Sequence, residues 1–278
     1  MNKIEIVPLS GAVGVEIHNV DLSSDFSDST FSIIREAFVK HGLIFFRDQK
    51  ITPEDHIRFA KRWGKININR FFQPVQGYDQ IAEVRKEPDQ LINIGSSWHT
   101  DHSYDQIPAM GSILLAIETP KVGGDTLFAS MYRAYETLSD ELKRTLEGLK
   151  AIHSSRHIFG KESGYSEASN HRIGNPELAT QDAVHPVIIT HPESKRKALY
   201  VNTDFTLNFE GWTVEESKPL LEFLYAHGSK LENTSRFKWE PGSVAFWDNR
   251  CTWHYALNDY HGERRLMHRI TVEGSALS

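Results

Sequence analysis

Ser97-Trp98-His99-Thr100-Asp101-His102 is the stretch from which the rest of the chain is read. His99 and Asp101 stand two apart, and along an extended strand positions i and i+2 face one side. An imidazole nitrogen and a carboxylate oxygen then reach toward one metal ion from a single run of backbone. A second imidazole from elsewhere would complete a 2-His-1-carboxylate facial triad, a donor set that suits ferrous iron and keeps coordination positions open. Such a pair belongs on the inner face of a β-rich barrel. Taken alone it says little, because the chain holds fourteen histidines and His191-Pro192-Glu193 meets a looser His-x-acid pattern. The rest of the chain supplies the weight.

At 278 residues and 39% hydrophobic content, the chain has enough apolar side chain for a sizeable core. We expect one domain over residues 1–278. The net charge of -6 is mild, with both signs interspersed. No basic patch points to nucleic acid, and none points to an anionic membrane surface. Cys251 is the single cysteine, which excludes a disulfide framework and a cysteine metal site and suggests a reducing compartment. Met1-Asn2-Lys3-Ile4-Glu5-Ile6 does not read as a signal peptide, and no apolar run reaches membrane length. A cytoplasmic protein is expected.

Along the chain, residues 4–7 and 13–17 read as short strands. A helix starts after Asp28, carries Phe31, Ile34, Ala37 and Phe38 on one side, and ends at Gly42. Leu43-Ile44-Phe45-Phe46 reads as a buried strand. Thr52-Pro53-Glu54-Asp55 opens a second helix, closed by Gly64. Residues 65–80 have no clear pattern. Ile81-Ala82-Glu83-Val84 reads as a strand and Arg85-Lys86-Glu87-Pro88-Asp89-Gln90 as the loop after it. Ile113 to Ile117 is an apolar strand, and Ser139 caps a helix bearing Leu142, Leu146 and Leu149. The polar stretch 160–182 reads as a mobile cover. Pro192-Glu193-Ser194-Lys195 joins a hairpin, Thr213 to Glu216 is a capping box, and a strand over 243–247 precedes the last one, which carries Arg265 to Arg269. Many strands with helices at the periphery fit a mainly β jelly roll.

The second half supplies the partners for the opening stretch. Trp247-Asp248-Asn249-Arg250-Cys251-Thr252-Trp253-His254 offers the missing imidazole. Eleven residues on comes Arg265, and four further Arg269. In an extended strand these two share a face, about 13 Å apart at roughly 3.3 Å per residue. Inward guanidinium groups call for anions, and arginine grips a carboxylate or sulfonate with two parallel hydrogen bonds.

Trp98-His99-Thr100-Asp101, Gly123-Gly124-Asp125-Thr126, Trp247-Asp248-Asn249, His254 and Arg265/Arg269 together resemble the taurine dioxygenase family of ferrous-iron, 2-oxoglutarate-dependent oxygenases, over almost the whole chain. That family includes the phenoxyalkanoate herbicide dioxygenases. Ser130-Met131-Tyr132 and Lys197-Ala198-Leu199-Tyr200-Val201-Asn202 are among the stretches that resemble its phenoxypropionate-cleaving members more. The resemblance implies a double-stranded β-helix, with His99, Asp101 and His254 as Fe(II) ligands. It implies that Thr126 and Arg265 bind 2-oxoglutarate, that Arg269 meets the anionic end of the prime substrate, and that Trp247 packs near the iron. The implied reaction is hydroxylation of a small anionic organic substrate by molecular oxygen. The product collapses and loses its leaving group where the hydroxylated carbon bears a sulfonate or ether oxygen. Dimers or tetramers are common in the family.

Two departures bear on the substrate. Where taurine dioxygenase carries a histidine and a tyrosine that contact taurine, this chain has Arg70-Phe71-Phe72-Gln73, and Gly95 stands in place of an asparagine. Arg70 is therefore a substrate-binding candidate. So is His102, next to a ligand, although strand alternation would point it away. His185, His191 and His268 read as structural. Two other readings exist: a non-catalytic small-anion binder on the same scaffold, and a zinc hydrolase with the same three ligands. An open iron site argues against the first, and Arg265 against the second.

Overall fold

Four consecutive apolar residues, Leu43-Ile44-Phe45-Phe46, are buried on both faces and reveal how the layers stack. Side chains alternate along a strand. Leu43 and Phe45 join Leu114, Ala245, Trp247 and Met267 in an inner cluster that meets Phe128 and Phe237 of a facing sheet. Ile44 and Phe46 point the other way, with Ile113, Val244, Phe246 and Ile270, onto Ile34, Phe38 and Phe59 of two helices. The layers therefore run helices, large sheet, interior, small sheet. The computed structural model describes residues 3–163 and 172–278.

In chain order the elements are β1 (Glu5–Pro8), β2 (Val15–His18), α1 (Asp28–His41), β3 (Leu43–Phe46), α2 (Pro53–Lys61), β4 (Ile66–Asn67), β5 (Pro74–Val75) and β6 (Tyr78–Lys86). Then come β7 (Gly111–Glu118), β8 (Thr126–Ser130), α3 (Met131–Glu136), α4 (Asp140–Glu147), β9 (Lys150–Ser154) and α5 (Arg156–Phe159). The remainder holds β10 (Asp182–Pro186), β11 (Ile188–Thr190), β12 (Lys197–Leu199), β13 (Thr206–Phe209), α6 (Val214–Gly228), β14 (Thr234–Phe237), β15 (Val244–Asp248), β16 (Thr252–Ala256) and β17 (Arg265–Val272).

The large sheet runs β1-β2-β3-β15-β7-β17-β6-β5, with β4 added beside β17. β14-β8-β16 forms a three-stranded sheet opposite, and β10-β9-β13 and β11-β12 form two smaller ones. Strands from the two ends of the chain interleave, as the jelly roll requires.

Local chemistry explains the helix ends. Ser27 caps α1 through Thr30 N, and Gly42 closes it at φ 69, a left-handed conformation that suits glycine. A Cβ there would also sit 2.9 Å from Cys251 Sγ. Thr52/Asp55 and Thr213/Glu216 are reciprocal capping boxes on α2 and α6. α2 stops at Lys61, short of Gly64.

Two expectations need correction. The strand read over 81–84 begins at Tyr78 and runs on through Lys86, because β17 offers a pairing partner that far: Lys86 lies opposite Arg265. The short helix α3, capped by Ser130, was not foreseen. Of the stretch read as a mobile cover, residues 164–171 lie outside the described residues. Its flanks pack: Arg172, Ile173 and Ala179 are buried, and Ile173 bridges to Phe72.

Candidate metal centre and anion pocket

His99 and Asp101 do not lie in a strand. His99 forms an isolated bridge with His254, closed by two backbone hydrogen bonds, His99 N to His254 O at 3.1 Å and His254 N to His99 O at 2.8 Å. The chain then turns from Asp101 onward. Left-handed residues bend the backbone on both sides, Gly95 at φ 83 and His102 at φ 61. Thr100 Oγ1 donates to the Asn249 carbonyl at 2.6 Å and pins the stretch between them. A spacing of two thus brings both side chains to one side through a single bridged residue. His254 sits on β16, held in register by β8.

Three ligand atoms converge. His99 Nε2 lies 3.9 Å, and His254 Nε2 4.0 Å, from Asp101 Oδ1. Atoms each about 2.0–2.2 Å from a common ion stand up to roughly 4 Å apart, so the spacing admits one cation. All three side chains are buried. His99 Nδ1 lies 2.9 Å from the Ser97 carbonyl, which only accepts, so Nδ1 carries the proton and Nε2 turns its lone pair inward. Asp101 Oδ2 accepts from Ser112 Oγ at 2.8 Å, and Oδ1 from Arg269 Nη1 at 3.3 Å. Burial opposes the Asp101 charge, but Arg269 and the nearby imidazoles outweigh it and hold the carboxyl well below the usual range. Burial and His99 push His254 well below the ordinary imidazole value. An ionised carboxylate and a neutral imidazole are the forms that bind metal.

Arg265 is buried on the inner face of β17, and its Nε and Nη2 have no hydrogen-bond partner among the described residues. Its guanidinium carbon lies 5.8 Å from the centre of the Trp239 ring. Trp239 Nε1 donates to Thr126 Oγ1 at 2.9 Å, which leaves the Thr126 hydroxyl hydrogen free to be donated elsewhere. Gly124 gives this corner its shape, since a Cβ there would meet Pro120 at 2.8 Å and Arg265 Cδ at 3.4 Å. Arg269 lies over the Phe72 ring at 4.4 Å, with Nε unpartnered among the described residues.

One cavity is lined by all of these: His99, Asp101, His254, Thr126, Arg265 and Arg269. Phe72, Ile94, Tyr104, Ile158, Phe159 and Phe205 give it an apolar side. Trp247 closes the floor, 4.7 Å from the His254 ring. His102 also lines the cavity, because its left-handed backbone turns it back where strand alternation would have turned it away. Its Nδ1 is held by Asp105 Oδ2 at 2.9 Å, while Nε2 has no partner among the described residues. Arg70 stands behind this pair and not on the cavity wall. Its guanidinium bonds Asp105, so it can reach a substrate only through Asp105 and His102.

Residues 5–271 match the taurine catabolism dioxygenase TauD, TfdA family. The chain belongs to that family. It is 34% identical over 276 residues to an alkylsulfatase of Acinetobacter baylyi, covering 98% of this chain and 86% of the relative. It is 33% identical over 275 residues to an alpha-ketoglutarate-dependent sulfate ester dioxygenase of Pseudomonas putida, covering 98% and 90%. A solved taurine dioxygenase from Burkholderia xenovorans superposes with a TM-score of 0.83 at 33% identity, covering 99% of this chain and 92% of that one.

As a TauD/TfdA-family member the protein is a 2-oxoglutarate-dependent dioxygenase that uses Fe(II). The residues present fit both groups: two imidazole nitrogens and a carboxylate oxygen within reach of one ion for the metal, and a buried guanidinium with unbonded nitrogens for an acidic co-substrate. A second cluster, His191, Asp248 and Cys251, has its bonding capacity taken. Asp248 accepts from Arg250 Nε at 2.8 Å and Nη2 at 2.6 Å and pairs with His191 at 3.0 Å. Asp248 of the Trp247-Asp248-Asn249 motif is therefore a strut beneath Trp247. Sequence reading misses Trp239, Ser112 and Asp105: Trp239 meets Thr126 and Ser112 meets Asp101 from separate strands or loops, and Asp105, three residues from His102, reaches it only through a turn that no spacing signals.

Proposed function

We propose that His99 Nε2, Asp101 Oδ1 and His254 Nε2 hold Fe(II), and that Arg265 and the Thr126 hydroxyl bind the far carboxylate of 2-oxoglutarate. The observation that carries this is the buried Arg265 guanidinium, unpartnered among the described residues on the same cavity wall as the three ligand atoms. A buried cation without a counter-charge is costly. A binder of one small anion needs only one such group, and a hydrolase needs no co-substrate clamp.

When bound, iron and 2-oxoglutarate supply the oxidising power that turns a substrate C–H into C–OH at the expense of oxygen, leaving succinate and carbon dioxide. The chain's own residues bind, orient and exclude water. Arg269 already has one nitrogen on Asp101, so it couples the ligand carboxylate to whatever anion arrives. His102 presents Nε2 to the same space, braced by Asp105 and Arg70. Phe72, Phe159 and Phe205 receive an apolar body and keep the cavity dry.

An anionic head beside an apolar wall fits an alkyl sulfate ester better than an amino-sulfonate. Relatives named for sulfate esters support this choice. Hydroxylation of the carbon that bears the sulfate yields an unstable product that releases sulfate and an aldehyde or ketone. We place the protein in the cytoplasm as one catalytic domain over residues 1–278, assembled as a dimer or tetramer. The test is succinate release with Fe(II), 2-oxoglutarate and a panel of alkyl sulfates, sulfonates, taurine and aryloxyalkanoates. Alkyl sulfates are expected to give the fastest release with stoichiometric sulfate. Fastest release with taurine would move the reading to amino-sulfonates, and no release with any substrate would remove it.

A further inference from the structure

β6 and β17 pair so that Lys86 faces Arg265, Val84 faces Met267 and Ala82 faces Arg269. Met267 lies in the inner cluster with Val84 packed against it, so all of these side chains point inward. Directly opposed residues on one face stand about 4.5–5.5 Å apart at Cβ. Lys86 is 2% exposed. Its ammonium has a weak bond to the Tyr260 carbonyl at 3.4 Å and sits 4.2 Å from the centre of the Tyr260 ring. No carboxylate pairs with Lys86 or Arg265 among the described residues. The nearby acids are engaged elsewhere: Asp125 with Arg236, and Glu87 with Arg264 and Arg85.

We propose that Lys86 is a positioning residue for the co-substrate: a second buried cation behind Arg265 that holds its guanidinium forward into the cavity and adds to the field drawing in the far carboxylate of 2-oxoglutarate. This rests on Arg265 being the co-substrate clamp. The reasoning is electrostatic. The two cations are opposed across one strand pair, Arg172 adds a third positive charge beside Lys86, and an anion arriving at Arg265 relieves this local excess. Lys86 does not line the cavity, so it acts through Arg265 and over distance, with no contact to the co-substrate. A structural lysine would behave differently, since its removal would loosen the fold without regard to the ligand's charge.

The test compares wild type, Lys86→Met, Lys86→Arg and Arg265→Ala as Fe(II)-loaded proteins under anaerobic conditions. Titration calorimetry is run with 2-oxoglutarate and with 2-oxovalerate, which keeps the 2-oxoacid head and has a methyl in place of the far carboxylate. Lys86→Met is expected to weaken 2-oxoglutarate on the order of tenfold, the effect of one nearby charge in the effective dielectric of a protein interior, and to change 2-oxovalerate by less than about twofold. Lys86→Arg should restore most of the loss. Without metal or co-substrate, Lys86→Met should melt at or above the wild-type temperature, because an unmatched buried charge has been removed. Unchanged 2-oxoglutarate binding in Lys86→Met overturns the proposal, and so does equal loss of both ligands with a lower melting temperature. If Arg265→Ala keeps the preference for 2-oxoglutarate over 2-oxovalerate, the clamp itself is misassigned and both readings fall.

Discussion

Arg265 carries a buried guanidinium whose Nε and Nη2 find no partner among the described residues, and removing it should be felt only where a carboxylate was meant to meet it. Arg265→Ala is expected to raise the Michaelis constant for 2-oxoglutarate about ten- to a hundredfold, the equivalent of about 1.5–3 kcal/mol for a charge-assisted bond, and to leave the prime-substrate constant nearly unchanged. Steady-state kinetics with each substrate varied in turn checks this, and an unmoved 2-oxoglutarate constant would place the clamp elsewhere. Arg269 should show the converse split. Arg269→Ala should weaken the anionic prime substrate by a similar factor while 2-oxoglutarate stays put, and Arg269→Lys should recover part, since lysine keeps the charge and loses the two-pronged geometry. Because Arg269 also bonds Asp101, the alanine variant should need more Fe(II) for half-maximal activity. A neutral substrate turned over equally by wild type and Arg269→Ala would defeat this assignment.

At the level of elements, the large sheet carries the site by alternation: Arg265, Met267 and Arg269 inward, Ile270 and Val272 toward the helices. Gly111 on β7 sits against β15, where a Cβ would lie 2.5 Å from the Trp247 carbonyl and 2.6 Å from the Phe246 ring. Gly111→Ala must push β15 aside, with an expected loss of about 1–3 kcal/mol in denaturant unfolding and reduced turnover through displaced Trp247. Wild-type stability in that variant would contradict the packing described. The same alternation decided what could be read in advance. Leu43 to Phe46 announced a doubly buried strand by composition, and Ser27, Thr52 and Thr213 announced helix starts by their capping chemistry. Arg265 and Arg269 shared a face because four is even. Lys86 reads as loop in the sequence because a strand's end is set by its neighbour across the sheet, and nothing in Arg85-Lys86-Glu87 names that neighbour. His-x-Asp reads as a strand because a spacing of two is satisfied equally by one bridged residue between bends. His102 faced the cavity through a positive φ that no adjacent glycine marked.

Across the whole molecule, a chain of buried and half-buried charges ties the layers together. Arg35 of α1 reaches Glu193 in the β11–β12 turn at 2.6 Å, Glu193 meets Arg250 at 3.1 Å, and Arg250 and His191 hold Asp248 at the end of β15. Burial opposes ionisation of Asp248, but Arg250 and His191 overcome it and keep its carboxyl well below the ordinary range. Its folded value is thus below its unfolded one, so its stabilising contribution is complete above the unfolded carboxylate range near pH 4 and is lost as pH falls below it. The melting temperature should decline from about pH 5 downward. Asp248→Asn should melt lower at neutral pH, where Arg250 loses its counter-charge, and decline less on acidification. An acid limb as steep as that of the wild type would remove Asp248 from the account. Whether one metal ion sits among His99, Asp101 and His254, with a 2-oxoacid clamped by Arg265, is decided by anomalous diffraction from crystals soaked with Mn(II) and 2-oxoglutarate. We predict a single strong anomalous peak within bonding distance of His99 Nε2, Asp101 Oδ1 and His254 Nε2, and the far carboxylate of 2-oxoglutarate on Arg265 and Thr126. A peak bound elsewhere, or 2-oxoglutarate with its far carboxylate away from Arg265, would contradict it.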